Sequence, residues 1–234
     1  KKSNLNIINS KKNWITFVGK LNNAKGYDVF AKTIKLILNK FPGWKAKIIG
    51  DEKREKIDVE HKNVDLLGFL NHEKVLKIFK QTSIAVACSR WEEPFGRTSL
   101  EASANGCAVI ITNKGGLPET VTNAKILNKL SVKALFKEIS DLIKNKELRK
   151  KLQTLSIKNF YLTHAFVTSM IDNYRDEKLQ SNRLFFTKKN KKSLRILHIT
   201  NFNERLDGRL FFNTGRRINN GFIRQGHSVL GFSD

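Results

Sequence analysis

Proline is scarce: Pro42, Pro94 and Pro118 are the only three in 234 residues. That excludes collagen-like and proline-rich architectures. Cysteine is scarcer still. Cys88 and Cys107 each sit inside an apolar run, so both read as buried, inert thiols, and neither a disulfide framework nor a cysteine metal site is supported. No apolar run approaches the roughly 20 residues of a membrane-spanning helix, and no stretch reads as a secretory signal. Of the histidines, His61, His72 and His164 lack ligand spacing, while His198 and His227 fall in strand-like runs. Methionine occurs once, at Met170, and the chain begins with Lys1, so the native start is expected elsewhere.

Acidic residues are few as well, 21 against 44 basic ones, leaving a net charge of +23. Such an excess attracts nucleic acid, acidic membranes or anionic ligands. Here the basic residues are spread over helix surfaces rather than massed in one motif. A nucleic-acid partner is not expected; an anionic ligand, or peripheral contact with an acidic membrane surface, fits better.

An apolar fraction of 40% suffices for a packed core. Short apolar runs alternate with helical patterns. Trp14–Val18, Trp44–Ile49, Val64–Leu67, Ile84–Cys88, Cys107–Ile111 and Lys125–Leu127 read as strands. Tyr27–Phe41 carries Val29, Phe30, Ile34, Ile37 and Leu38 at helical spacing and stops at Pro42-Gly43. Asn71 and Ser131 are placed to cap helices reaching Gln81 and Asn145. Further helices are expected over Lys146–Phe160 and Asn159–Glu177, and Glu52–Lys62 reads as an exposed helix or loop. Short strands buried on both faces and joined by helices imply an α/β fold, a Rossmann-like, doubly wound parallel sheet. The expected organisation is a linker at 1–12, a main domain at 13–178 and a linker at 179–192. Then, at 193–234, the pattern restarts as Leu194–Thr200, a helix within Leu210–Arg224 and His227–Phe232. This truncated β-α-β unit is too small to bury an independent core.

One stretch stands out, Ser89-Arg-Trp-Glu-Glu-Pro-Phe-Gly-Arg-Thr-Ser-Leu-Glu101. It joins a strand to a helix and carries Glu93 and Glu101 eight positions apart. Free backbone N–H groups and the positive end of a helix dipole beside carboxylates suit a ligand with both phosphate and hydroxyls.

Residues 13 to about 177 resemble the nucleotide-binding C-terminal domain of retaining GT-B glycosyltransferases. Gly19-Lys20-Leu21 with Lys25-Gly26 is similar to that family's phosphate-binding motif, with Lys20 replacing its arginine. Glu93-Pro-Phe-Gly96 with Leu100-Glu101-Ala102 is similar to its Glu-x7-Glu signature; Gly106–Ile110 and Gly115-Gly-Leu-Pro-Glu119 follow in the expected order. Residues 194–232, with Gln225-Gly-His-Ser-Val229 and the loop around Gly208, resemble the opening of the family's N-terminal acceptor domain. The two together suggest a fragment of a tandem glycosyltransferase.

The resemblance implies a donor site made of Gly19, Lys20, Lys25, Leu70, Glu93, Phe95, Gly96, Arg97, Thr98 and Glu101, with Glu93, Lys25 and Lys20 catalytic. Lys25 and Lys20 would neutralise the donor diphosphate, or else be solvated surface charges. Glu101 would hold the ribose, or else be a helix-start glutamate favoured by the dipole. Glu93 would face the transferred sugar, or else pair with Arg90 or Arg97; neighbouring Glu92 competes for the role. Backbone groups of Phe95–Thr98 would meet phosphate or sugar, and those of Gly68–Leu70 the base. No Asp-x-Asp element is present, so no metal and no cofactor are expected beyond a nucleotide-diphosphate sugar as donor. The implied activity is sugar transfer to an acceptor glycan or lipid, in the cytoplasm or at the inner face of the membrane, with poor transfer by this fragment alone. A nucleotide-sugar 2-epimerase and a non-catalytic nucleotide-sugar-binding module are the alternatives. A glycosidase acid/base pair fits less well, because both glutamates lie within a donor-binding signature.

Overall fold

A computed structural model of the chain describes residues 5–55, 57–180, 192–200 and 214–233. The chain divides into two compact units, Lys1–Thr168 and Ser169–Asp234.

The first unit is built on a six-stranded, wholly parallel sheet. Its strands are β1 (Lys12–Val18), β2 (Lys45–Ile49), β3 (Val64–Leu66), β4 (Thr82–Ala87), β5 (Ala108–Thr112) and β6 (Ala124–Leu127), in spatial order β3-β2-β1-β4-β5-β6. The connecting helices are α1 (Tyr27–Lys40), α2 (His72–Gln81), α3 (Arg97–Ala104), α4 (Val132–Lys144) and α5 (Lys146–Lys158). Every residue of β5 is buried, as expected for a strand covered on both faces. One face, carrying Phe17, Ile48, Ile84, Val86 and Ile110, packs on α1 and α4 through Phe30, Ile34, Leu135 and Ile139. The other, carrying Ile49, Ala85, Val109 and Ile111, packs on Val75 and Phe79 of α2 and Ala102 of α3.

Local chemistry sets the boundaries. Asn71 Oδ1 accepts from Lys74 N at 3.0 Å to start α2, and Ser131 Oγ accepts from Ala134 N at 3.1 Å to start α4. α1 stops at Phe41, where Pro42 disfavours another helical turn. Gly26 starts α1 at φ 70°, and a Cβ there would lie 2.0 Å from Cys88 O. Only glycine lets the helix start come this close to the end of β4.

Three expectations need correction. Leu5–Ser10, expected within a linker, forms a 3-10 turn beside α2 and α5, and the Lys11 ammonium anchors it by donating to Phe79 O and Asn105 O. The segment 52–62, read as an exposed helix or loop, is a loop among its described residues, but its Val59 is buried rather than exposed. The helix expected from Asn159 begins later, as α6 (His164–Gln180), because Thr163 Oγ1 accepts from Phe166 N and caps it there. The division between the units falls within α6, ahead of the expected 179–192 linker, most of which lies outside the described residues.

The second unit pairs β7 (Arg195–Thr200) with β8 (Ser228–Ser233) in parallel, joined through α7 (Thr214–Arg224). His198 sits on β7, half-buried, and meets Phe222 of α7 edge-on at 5.8 Å. The opposite face, with Leu197, Ile199, Leu230 and Phe232, is exposed. The loop around Gly208 lies outside the described residues. Among the described residues, no helix is long and apolar enough to cross a membrane.

Ile110, fully buried on β5, tests the core. Ile110→Ala should lower stability by about 2–5 kcal/mol. Leu36→Ala, at a half-exposed position on α1, should change it by less than about 0.5 kcal/mol. Urea unfolding followed by circular dichroism checks both.

Candidate functional site

The strand order reverses direction between β1 and β4, the position where doubly wound sheets open a crevice beyond their carboxyl ends. A hollow of about 300 Å³ lies there. Its floor is the end of β1 (Phe17, Val18, Gly19) and of β4 (Ala87, Cys88, Ser89); Lys25, Glu93, Gly96, Arg97, Thr98 and Leu117 form its wall. A second hollow of about 280 Å³ shares Val18 and Gly19 and is lined also by Lys20, Asp51, Phe69, Leu70 and Val75.

The turn after β1 is fastened to the segment after β4. Ala24 O accepts from Arg90 N at 2.9 Å, Trp91 N at 3.1 Å and Ser89 Oγ at 3.1 Å. Arg90 grips the Asp28 carboxylate through both terminal nitrogens, at 2.5 and 2.8 Å. The result is direct contact between Lys25 and Glu93, 68 positions apart, in a largely buried ion pair. Glu93 therefore pairs with neither Arg90 nor Arg97.

Glu92 turns elsewhere: it accepts from Lys114 Nζ at 2.7 Å and Gly115 N at 2.6 Å. These contacts hold its carboxyl below the usual range. Gly116 N donates to Glu93 O at 2.6 Å, and a Cβ on Gly115 would lie 2.3 Å from that same oxygen. The Gly115-Gly116 turn thus sets the backbone of Glu93.

The helix expected to begin around Glu101 begins four residues earlier. Gly96, in the left-handed region at φ 85°, opens α3, and no side chain caps it. Arg97 and Thr98 form its first turn, so their N–H groups stand at the positive end of the helix. Glu101 is the fifth residue of α3 and lines neither hollow. Its Oε1 accepts from His72 Nε2 at 3.0 Å and from Arg97 Nη2 at 3.3 Å. It thereby bridges α3, whose first turn lines one hollow, and α2, whose Val75 lines the other. Phe95 lines neither and is exposed.

The structure therefore brings Gly19, Lys25, Glu93, Gly96, Arg97 and Thr98 to one hollow, and Gly19, Lys20 and Leu70 to the other. Sequence reasoning missed Ser89, Leu117 and His72. His72 carried no signal beyond following the Asn71 cap. Burial pushes the Cys88 thiol up to about 12, so at the floor it is an inert wall. Among the described residues, no three His, Cys, Asp or Glu side chains cluster closely enough to hold a metal ion.

The Arg90 clamp predicts a pH effect. Its guanidinium hydrogen-bonds the Asp28 carboxylate and holds it below its ordinary 3.8. A lowered folded value stabilises the protein above pH 3.8, and that contribution is lost as pH falls through the folded value. The stability gap between wild type and Arg90→Gln should be steady near neutrality and close in acid below about pH 4. Urea midpoints measured across that range check it.

Comparison with known proteins agrees with this geometry. Residues 1–158 match the model of the family described as glycosyl transferases group 1. The chain is 34% identical over 149 residues to the uncharacterised glycosyltransferase MJ1178 of Methanocaldococcus jannaschii, covering 60% of this chain and 41% of that protein. The C-terminal domain of the glycosyl transferase group 1 family protein LpcC of Francisella tularensis superposes with a TM-score of 0.56 at 22% identity, covering 68% of this chain and 91% of that one. HepE of Anabaena, solved in complex with UDP-glucose, superposes with a TM-score of 0.55 at 20% identity, over 76% of this chain and 50% of that one. This chain spans between about a quarter and two fifths of the length of the curated relatives it matches. With a six-stranded GT-B-type sheet, its crevice at the strand reversal and a family match over 158 of 234 residues, the chain belongs to the glycosyl transferases of group 1.

Proposed function

We propose that this chain supplies the donor-binding part of a retaining glycosyltransferase. The whole protein would move a sugar from a nucleotide-diphosphate sugar to a hydroxyl of a glycan or lipid in cell-surface polysaccharide or glycolipid synthesis. The observation that carries this reading is the Lys25–Glu93 pair, set in the hollow at the strand reversal beside the uncapped start of α3. HepE, a fold neighbour, was solved with UDP-glucose, which makes a nucleotide sugar the donor of choice.

In this reading the donor phosphates lie against the N–H groups of Gly96–Thr98, with Lys25 leaving Glu93 to meet them. A cation and a helix start aimed at the leaving group stabilise the charge it gains as the glycosidic bond breaks. Lys20, from the neighbouring hollow, adds a second positive charge, so no metal is required. Glu93, released, accepts from a sugar hydroxyl and steadies positive charge at the anomeric carbon. The donor phosphate itself takes the acceptor proton on the face the leaving group departs from. Backbone groups around Leu70 meet the base, and Glu101 accepts from the ribose hydroxyls. The basic surface suits an acidic membrane at the cytoplasmic face.

The test begins with donor binding by this chain. UDP-, GDP- and ADP-sugars are screened by thermal shift, since a ligand of the folded state raises its midpoint. At least one should do so, and Lys25→Met should weaken it on the order of tenfold. If no nucleotide sugar shifts the midpoint, the donor reading is wrong. In a protein carrying both halves of the fold, Glu93→Gln should lower turnover by about a hundredfold or more. Unchanged turnover would remove Glu93 from the chemistry, and a free epimerised donor as product would point to an epimerase.

A further inference from the structure

We propose that His72 is a positioning residue for the ribose-reading carboxylate, Glu101; the inference rests on the donor reading above. Two donors converge on a single oxygen of Glu101. His72 Nε2 stands 3.0 Å from Oε1, and Arg97 Nη2 stands 3.3 Å from it. Among the described residues, Oε2 accepts no hydrogen bond. The carboxylate is held by one oxygen while the other stays open. Two vicinal ribose hydroxyls can then both donate to Oε2, whose two lone pairs are uncommitted.

The two donors are not equivalent. Arg97 is one turn back on α3, and its side chain is 75% exposed against 56% for His72. A solvated i, i+4 pair on one helix contributes little and leaves a long side chain free to move. His72 comes from a different element. It is the first residue of α2, and the Asn71 cap on Lys74 N fixes that turn. It has a shorter side chain with two rotatable bonds, so holding it costs less rotamer entropy. His72 thus ties the orientation of Glu101 to α2, which follows directly on Leu70 at the second hollow. A base held at Leu70 and a ribose held at Glu101 would then be kept in register by this one hydrogen bond.

The consequence is specific to the sugar of the nucleotide. Removing His72 should erode the preference for ribose and leave phosphate and base binding untouched. The experiment uses the whole chain and calorimetric titration. UDP, GDP and ADP are tried first, and the tightest is compared with its 2′,3′-dideoxy counterpart. Wild type should prefer the ribonucleotide by about tenfold, and Glu101→Gln should abolish the preference. His72→Ala should reduce it by about three- to fivefold, with the dideoxynucleotide Kd unchanged. His72→Gln, which keeps an amide N–H donor near the Nε2 position, should restore most of it.

Other outcomes overturn the proposal in distinguishable ways. If Glu101→Gln loses the preference and His72→Ala keeps it, His72 has no such role while the donor reading stands. If His72→Ala weakens both nucleotides equally, the histidine is merely structural. If Glu101→Gln keeps the preference, or no nucleoside diphosphate binds, the reading of the site fails and the role of His72 fails with it.

Discussion

The turn after β1 must come within hydrogen-bonding distance of the segment after β4, and the rest of the site depends on that approach. Two neighbouring residues permit it. Gly26 has no Cβ, where one would lie 2.0 Å from Cys88 O. Ala24 turns its carbonyl to take three donors from Ser89, Arg90 and Trp91. Lys25, between them, therefore has little freedom of position. It is carried to Glu93 by backbone geometry, and the ion pair follows from that. The same approach lets Arg90 reach Asp28, which locks the loop to α1 from its other side.

That approach is required because of where it lies in the sheet. Every strand is parallel, and β1 and β4 are the two from which the connections depart to opposite sides. The loops leaving them diverge, and a crevice opens between them. A hollow there is a property of topology and would exist with other side chains. What makes this one a candidate site is its wall: a lysine, a carboxylate and a helix start with no side-chain cap.

The alternation of apolar runs and helical periodicity was enough to read six parallel strands and most helices, with Asn71 and Ser131 correctly seen as caps. Strand order was not legible, because it depends on which hydrophobic faces meet across the sheet. The start of α3 was misplaced because Gly96 opens it without a side-chain cap, so no Ser, Thr, Asp or Asn marked the boundary. The turn at Leu5–Ser10 was missed because its few apolar residues gain burial only against α2 and α5. At the site, the residues clustered by loop position were readable, since loops following strands in such a sheet share one end. Their pairings were not. Lys25 with Glu93 and His72 with Glu101 join residues 68 and 29 positions apart, and no local pattern encodes either.

These pairings change how ligand binding has to work. Two carboxylates eight positions apart suggested two open acceptors at the start of a helix. Instead each is held by a cation or an N–H donor, and the helix dipole acts on Arg97 and Thr98 rather than on Glu101. An unpaired buried charge would cost several kcal/mol. Pairing Lys25 with Glu93 avoids that cost, so under the proposed donor reading an arriving phosphate would meet a lysine that is already engaged. In that reading, binding at this hollow would therefore be an exchange. Phosphate would displace Glu93 from Lys25, and Glu93 would need a new donor of its own. A sugar hydroxyl beside the phosphate provides one; a bare phosphate does not. The resting ion pair would thus favour a ligand that brings both groups together over one that brings phosphate alone.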